Sequence, residues 1–208
     1  MSGAAAGQPE SGGTAAEFGA GGAGAAGAGT AAVHPGGPAA ILVGPPGAGK
    51  STVGPLLAAL LNAGFLDTDD EVEAIAGKPV GDIFVEDGEP AFRALERQVA
   101  GRALAYPGVV ALGSGAVADE QIRRMLTGQR VAYLETSFTE VARRTGLNRP
   151  RIPVPGNPRG RLRTLLEERV PLYAEVAVVT VRTDDLSPEE AASEIAADAG
   201  ISAAGSGQ

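Results

Sequence analysis

Gly44-Pro45-Pro46-Gly47-Ala48-Gly49-Lys50-Ser51 fits the pattern G-x-x-x-x-G-K-[ST], and its flanks decide what the stretch is. Ahead of it, Ala39-Ala40-Ile41-Leu42-Val43 is a short apolar run, the mark of a buried strand. Behind it, a helix is predicted from Gly49 to about Leu61. A strand, a glycine-rich turn and a helix in that order are the setting in which this pattern cradles phosphate. The glycines let several N–H groups turn toward one point, and the helix N-terminus adds positive potential there. Gly47, Ala48, Gly49, Lys50, Ser51 and Thr52 are therefore the predicted nucleotide-binding residues. Lys50 reaches the outer phosphates, the Ser51 hydroxyl ligates Mg²⁺, and Thr52 helps through its N–H or hydroxyl. The motif alone does not separate a kinase from an ATPase or a GTPase.

Working outward, strands and helices alternate. A short strand is predicted from Gly64 to Asp67, with helices near Asp69–Ala76 and Val80–Val85. A longer helix, Glu89–Ala105, puts Phe92, Leu95, Val99 and Leu104 on one broad face. Next come strand Gly108–Leu112, a Gly113-Ser114-Gly115 turn, helix Asp119–Leu126, strand Arg130–Leu134 and helix Phe138–Thr145. Residues 147–159 are rich in Pro, Arg and Gly and predict a loop. Helix Gly160–Tyr173 and strand Val176–Val181 follow. A last helix starts at Ser187, a good N-cap with Pro188 and Glu189 in its first turn. This alternation predicts an α/β fold, a parallel sheet with helices on both faces. Pro55 falls early in the first helix and is expected to kink it.

Composition narrows the function. Hydrophobic residues make up 44% of the 208, enough for one core, while aromatics are only 4%, so that core rests on Val, Leu, Ile and Ala. The net charge of −8 argues against nucleic acid or an anionic membrane as partner. Without any Cys, disulfides, zinc thiolates and cysteine nucleophiles are excluded. The one His, His34, lies in a Gly/Pro-rich stretch and is a poor candidate for catalysis or metal binding. No apolar run approaches the roughly 20 residues that span a bilayer, and no Lys or Arg precedes Lys50, so a cytoplasmic location is expected. Residues 1–38 are dominated by Gly and Ala and are expected to be disordered, as are 202–208. The folded core is expected from about 39 to 201.

Two acidic residues and two arginines stand out beyond the loop. Asp67-Thr68-Asp69 ends the second strand, and strand C-termini line the ligand crevice of open parallel sheets. Asp67 is a candidate partner of Mg²⁺ through water. Asp69 is a candidate base for an acceptor hydroxyl, or else simply a helix N-cap. Arg93 and Glu96 stand at i and i+3 and can pair. Arg169 lies late in a separate helix, and two arginines from separate elements could clamp a carboxylate. Spacing alone leaves their convergence open.

These stretches, taken in order, resemble the shikimate kinase family. They are Gly44–Thr52, Leu66-Asp67-Thr68-Asp69, Ile83-Phe84 with Gly88-Glu89, Phe92-Arg93-Ala94-Leu95-Glu96, Leu112–Val117 and Arg169-Val170-Pro171-Leu172-Tyr173. The resemblance covers the core from about Ala40 to the final helix. It implies a three-layer P-loop fold with a five-stranded parallel sheet in order 2-3-1-4-5 and a mobile lid at about 147–159. It also implies transfer of the γ-phosphate of ATP, with one Mg²⁺, to shikimate by a monomeric enzyme. On the family pattern Asp69 takes the hydroxyl, Arg93 and Arg169 hold the carboxylate, and Glu96 orients Arg93. Gly113, Ser114 and Gly115 line the acceptor site.

The chain departs from the pattern in three places. Ser114 replaces the middle of three glycines, which means strain if φ is positive there and a hydroxyl in the site if φ is negative. In the lid, Arg149 matches if Arg149-Pro150 is the anchor, and Arg151 matches if the spacing to Asn157-Pro158-Arg159 is. Arg151 is the preferred ATP-contacting residue because that register needs no gap. A basic residue expected near Leu186 is absent. These departures leave room for a kinase acting on another small acceptor, such as a cyclitol, gluconate or a nucleoside monophosphate, or for a non-catalytic nucleotide binder.

Overall fold

The computed structural model describes residues 37–147 and 157–198. Five strands form one parallel sheet: β1 (Ala40–Val43), β2 (Phe65–Asp67), β3 (Val109–Ala111), β4 (Val131–Glu135) and β5 (Val179–Arg182), in spatial order β2-β3-β1-β4-β5. The expected order is therefore present. β1 is central and pairs parallel with both β3 and β4, Ile41 opposite Val110 and Leu42 opposite Ala132. All four of its side chains are buried, so the strand reads as a continuous apolar run rather than an alternating one.

The strand period of two sorts these residues onto two faces. Ala40 and Leu42 join Leu57, Leu134, Val181 and Ile195 beneath α1 (Lys50–Leu60) and α8 (Pro188–Asp198). Ile41 and Val43 join Leu112, Ile122, Tyr133 and Tyr173 on the opposite face. That face carries α4 (Glu89–Ala103), a 3₁₀ turn (Ala116–Ala118), α5 (Glu120–Leu126) and α7 (Pro158–Val176). Each fully buried Leu or Ile contributes about 1.5–3 kcal/mol. A smaller satellite core of Val72, Ile83, Phe92 and Val99 ties α4 to α2 (Thr68–Ala76) and α3 (Val80–Glu86). Another, Val141, Ala142, Leu162 and Leu166, ties α6 (Phe138–Arg144) to α7.

Several expectations are corrected. Leu104 does not share the face of Phe92 and Val99. It caps α4 and packs on the main core instead, because five positions beyond Val99 it falls on the helix face of Ala100, which belongs to that core. The helix expected at Gly160–Tyr173 runs from Pro158 to Val176. Asn157 caps it by accepting the Gly160 N–H at 2.8 Å, and Pro158 fills the first helical position, where no N–H is needed. The loop expected at 147–159 thus ends before Pro158. Its remainder, 148–156, with Arg149 and Arg151, lies outside the described residues, as do 1–36 and 199–208. α1 passes through Pro55 as one continuous helix. Ser187 caps α8 as expected, in a reciprocal box: its hydroxyl accepts the Glu190 N–H at 3.2 Å and Glu190 accepts the Ser187 N–H at 2.8 Å.

Candidate active site

The C-terminal ends of the strands open onto one cleft. After β1 comes the glycine-rich loop. Gly47 (φ 73°) and Gly49 (φ 101°) both occupy backbone conformations that side chains disfavour, and Gly49 starts α1. The Ala48 N–H is engaged by Pro45 O at 3.1 Å and the Thr52 N–H by Gly49 O at 3.0 Å. Those two N–H groups therefore serve the loop itself. Lys50 Nζ donates to Gly44 O (2.9 Å) and Pro45 O (3.3 Å), which folds the ammonium back over the loop. Burial lowers its pKa to about 8, against the opposing pull of Asp69 and Asp67.

After β2, the Ser51 hydroxyl donates to Asp67 Oδ2 at 2.6 Å, so α1 and β2 present two hard oxygens side by side. Mg²⁺ takes one or two protein oxygens and completes its shell with phosphate and water, so this pair fits such an ion. Asp67 also caps α2 by accepting the Asp69 N–H at 3.0 Å. The reading of Asp69 as the helix cap is thereby overturned. Asp69 is exposed as a residue, yet its Oδ1 stands against Gly113, with room there for no Cβ. Its pKa is pushed up to about 6, first by burial and then by Asp67, Glu96 and Asp70, with Lys50 opposing.

After β3 comes the Gly113-Ser114-Gly115 turn, and around it the dispersed residues meet. A Cβ on Gly113 would lie 2.5 Å from Asp69 Oδ1 and 3.4 Å from Glu96 Oε1. A Cβ on Gly115 would lie 2.6 Å from Arg93 Nη1. The Ser114 carbonyl accepts from Arg169 Nη1 at 3.2 Å and from the Tyr173 hydroxyl at 2.6 Å. Asp69, Arg93, Glu96 and Arg169, from three helices, thus surround three consecutive backbone units. The glycines are what permit the approach. Ser114 is not among the positive-φ residues, so its side chain introduces no backbone strain.

Arg93 is held firmly. Nη1 donates to Glu96 Oε2 at 2.7 Å, and the Glu96 side chain is only 5% exposed. Burial raises the Glu96 pKa, while Arg93 and Arg169 pull it down. The guanidinium carbon also stands 5.2 Å from the Phe92 ring centre and 6.0 Å from that of Phe84.

Three supporting residues were not legible in the sequence. Thr68 is buried, and its hydroxyl accepts the Gly113 N–H at 2.9 Å, tying the turn to α2. Tyr173 closes the Arg169–Tyr173 stretch, but its anchoring of Ser114 depends on the three-dimensional fold. Arg144 reads in sequence as an ordinary basic residue at a helix C-terminus. In the structure its guanidinium donates to Thr183 O (2.8 Å), Thr183 Oγ1 (3.3 Å), Gly47 O (3.2 Å) and Ala48 O (3.4 Å), and it is braced by Glu140 at 2.7 Å. It joins α6 to the phosphate loop and to the end of β5. A cavity of about 510 Å³ lies there, lined by residues 47–53, Arg144, Thr183, Leu186, Ser187, Pro188 and Ala191. That volume suits a small-molecule ligand. No basic side chain comes from the Leu186 region, but Arg144 supplies one from the other wall.

The family model for shikimate kinase matches residues 46–199. The shikimate kinase of Thermobifida fusca (strain YX) is 58% identical over 160 residues, which cover 76% of this chain and 93% of that protein. The shikimate kinase of Salinispora arenicola (strain CNS-205) is 51% identical over 77% of this chain and 96% of its own length. Among solved structures, the shikimate kinase from Acinetobacter baumannii in complex with shikimate superposes with a TM-score of 0.69 at 39% identity, covering 76% of this chain and 90% of that one.

Proposed function

Because the chain belongs to the shikimate kinase family, we propose that it transfers the γ-phosphate of ATP to the 3-hydroxyl of shikimate, with the following division of labour. The observation that carries this reading is the position of Asp69. Its carboxylate interacts with Lys50 on the nucleotide side and sits against Gly113 and Glu96 on the acceptor side.

The triphosphate lies along the loop at Gly47–Thr52, and the nucleoside end enters the cavity beside Arg144 and Pro188. Ser51 directly, and Asp67 through water, would hold the Mg²⁺ that accompanies ATP, and the ion would neutralise phosphate charge. Lys50 exchanges the Gly44 and Pro45 carbonyls for phosphate oxygens and stabilises the charge that moves with the phosphoryl group. Arg93 and Arg169 fix the acceptor carboxylate, and the turn at Gly113, Ser114 and Gly115 lines its ring. Asp69 accepts the hydroxyl proton while the new O–P bond forms and the bond from phosphorus to the β–γ bridging oxygen breaks, releasing ADP. A pKa near 6 suits a general base, because the group is ionised at neutral pH and more basic than an ordinary Asp. Arg151, or Arg149 in the alternative register, is proposed to meet ATP from the 147–159 segment. The same reading makes the protein a cytoplasmic monomer. Among the described residues, no helix is long and apolar enough to cross a membrane.

Ser114, a hydroxyl-bearing residue in the acceptor turn, favours one alternative: a same-fold kinase retuned to a related cyclitol. Coupled ADP release with shikimate, quinate, gluconate and nucleoside monophosphates at fixed ATP separates the two. Shikimate is expected to give the highest kcat/KM, and a higher value for any other acceptor displaces the assignment.

A further inference from the structure

Arg93 has two carboxylate partners, and they differ in kind. Glu96 is buried and receives Nη1 at 2.7 Å. Glu89, one turn earlier on α4, has a side chain 65% exposed. A single oxygen of Glu89, Oε1, receives both Nε (3.4 Å) and Nη2 (3.3 Å). Nε and Nη2 form the side-on fork with which a guanidinium grips a carboxylate bidentately. Glu89 fills that fork, but at the long limit of hydrogen bonding and with one oxygen in the place of two. Its exposed end has bulk water to retreat into.

Charge balance around the acceptor turn points the same way. Asp69 is balanced by Lys50, but Arg93 alone meets two carboxylates, Glu96 and Glu89. With both in place the guanidinium charge is already neutralised, which resists an anionic ligand. Glu96 is buried and held by its 2.7 Å bond to Arg93. Among the described residues, Glu89 has only the loose contact to Arg93.

We propose that Glu89 is a stand-in for the acceptor's carboxylate: it occupies the Arg93 fork until an anionic acceptor displaces it, and so sets how tightly that acceptor binds. This rests on the assignment of Arg93 to the acceptor carboxylate. Glu89 is a positioning residue, since it acts through Arg93 and leaves as the acceptor arrives. It keeps the guanidinium extended toward the turn while competing with the ligand.

The test is steady-state kinetics with shikimate on the wild type, Glu89→Gln, Arg93→Lys and the double variant. Arg93→Lys removes the fork but leaves a cation beside buried Glu96, so folding is retained. Glu89→Gln is expected to lower the KM for shikimate about two- to fivefold, the range of an exposed ion pair, with kcat and the KM for ATP within about twofold of wild type. Arg93→Lys is expected to raise the KM for shikimate about tenfold, and adding Glu89→Gln to it is expected to bring no further gain. If Glu89→Gln leaves that KM unchanged or raises it while Arg93→Lys raises it, Glu89 is only a helix-surface partner and the proposal is overturned. If Arg93→Lys leaves it unchanged, the assignment of Arg93 itself has failed.

Discussion

The nucleotide side and the acceptor side of this cleft are built on opposite plans. On the nucleotide side, one contiguous loop supplies most of the groups, and backbone conformation sets their positions. Gly47 and Gly49 hold left-handed φ values and α1 begins directly behind them. On the acceptor side, four side chains from α2, α4 and α7 meet at a three-residue turn. There the glycines matter for the space they leave, not for their φ, since Gly113 and Gly115 are not among the positive-φ glycines. Close approach of this kind is set by packing: the satellite core of Val72, Ile83, Phe92 and Val99 fixes α2 against α4, which places Asp69 near Arg93 and Glu96.

Each side of the cleft can be perturbed by itself. Lys50→Ala has the largest expected effect, about a thousandfold or more in kcat, because charge on the moving phosphoryl group loses its main cation. Coupled ADP release measures it, and loss confined to the KM for ATP would show that Lys50 only binds. Next comes Gly113→Ala. The added Cβ would stand 2.5 Å from Asp69 Oδ1, so the carboxylate must shift. A misplacement on the order of 1 Å costs about a hundredfold in kcat, whereas the KM for ATP should hold. Arg144→Ala is smaller, with the KM for ATP rising about tenfold as charge-assisted hydrogen bonds across the cavity wall are lost. An unchanged value would place the nucleoside elsewhere.

The mildest probe changes no residue. In the free enzyme Asp69 has a pKa raised to about 6, so it is ionised, and active as a base, above that pH and protonated below it. Lys50 has a pKa lowered to about 8, so it carries its charge below that pH and loses it above. kcat/KM for shikimate should therefore fall on the acid side through about 6, and kcat/KM for ATP should fall on the alkaline side through about 8. Flat profiles across both values would separate these groups from the reaction.

The two plans also explain what the sequence could disclose. The phosphate loop was readable residue by residue, because its neighbours in sequence are its neighbours in space. Nearly every element was readable too, since β1 carries an uninterrupted apolar run and Ser187 signals its helix, whereas the order of the strands followed only from the family resemblance. The acceptor side was legible only through the order of its motifs. Nothing in the spacing of Asp69, Arg93 and Arg169 states that they meet. Asp67 rather than Asp69 caps α2, a choice made by the geometry of one turn. Thr68 stood inside a matching stretch with no sign of its bond to Gly113, and Arg144 gave no signal, because a helix-terminal arginine is common for structural reasons. Leu104 was assigned to the wrong face because α4 carries two apolar stripes, one toward Phe92 and Val99 and one, with Ala100, toward the main core.

Everything depends on Asp69 as the group that joins the two halves of the cleft. The most direct measurement is kcat for shikimate phosphorylation by Asp69→Asn, paired with calorimetric binding of shikimate to the same variant. The amide keeps the shape but cannot take a proton. Turnover should drop about a thousandfold or more while shikimate still binds within roughly tenfold of wild type. Turnover close to wild type with binding intact would contradict the account.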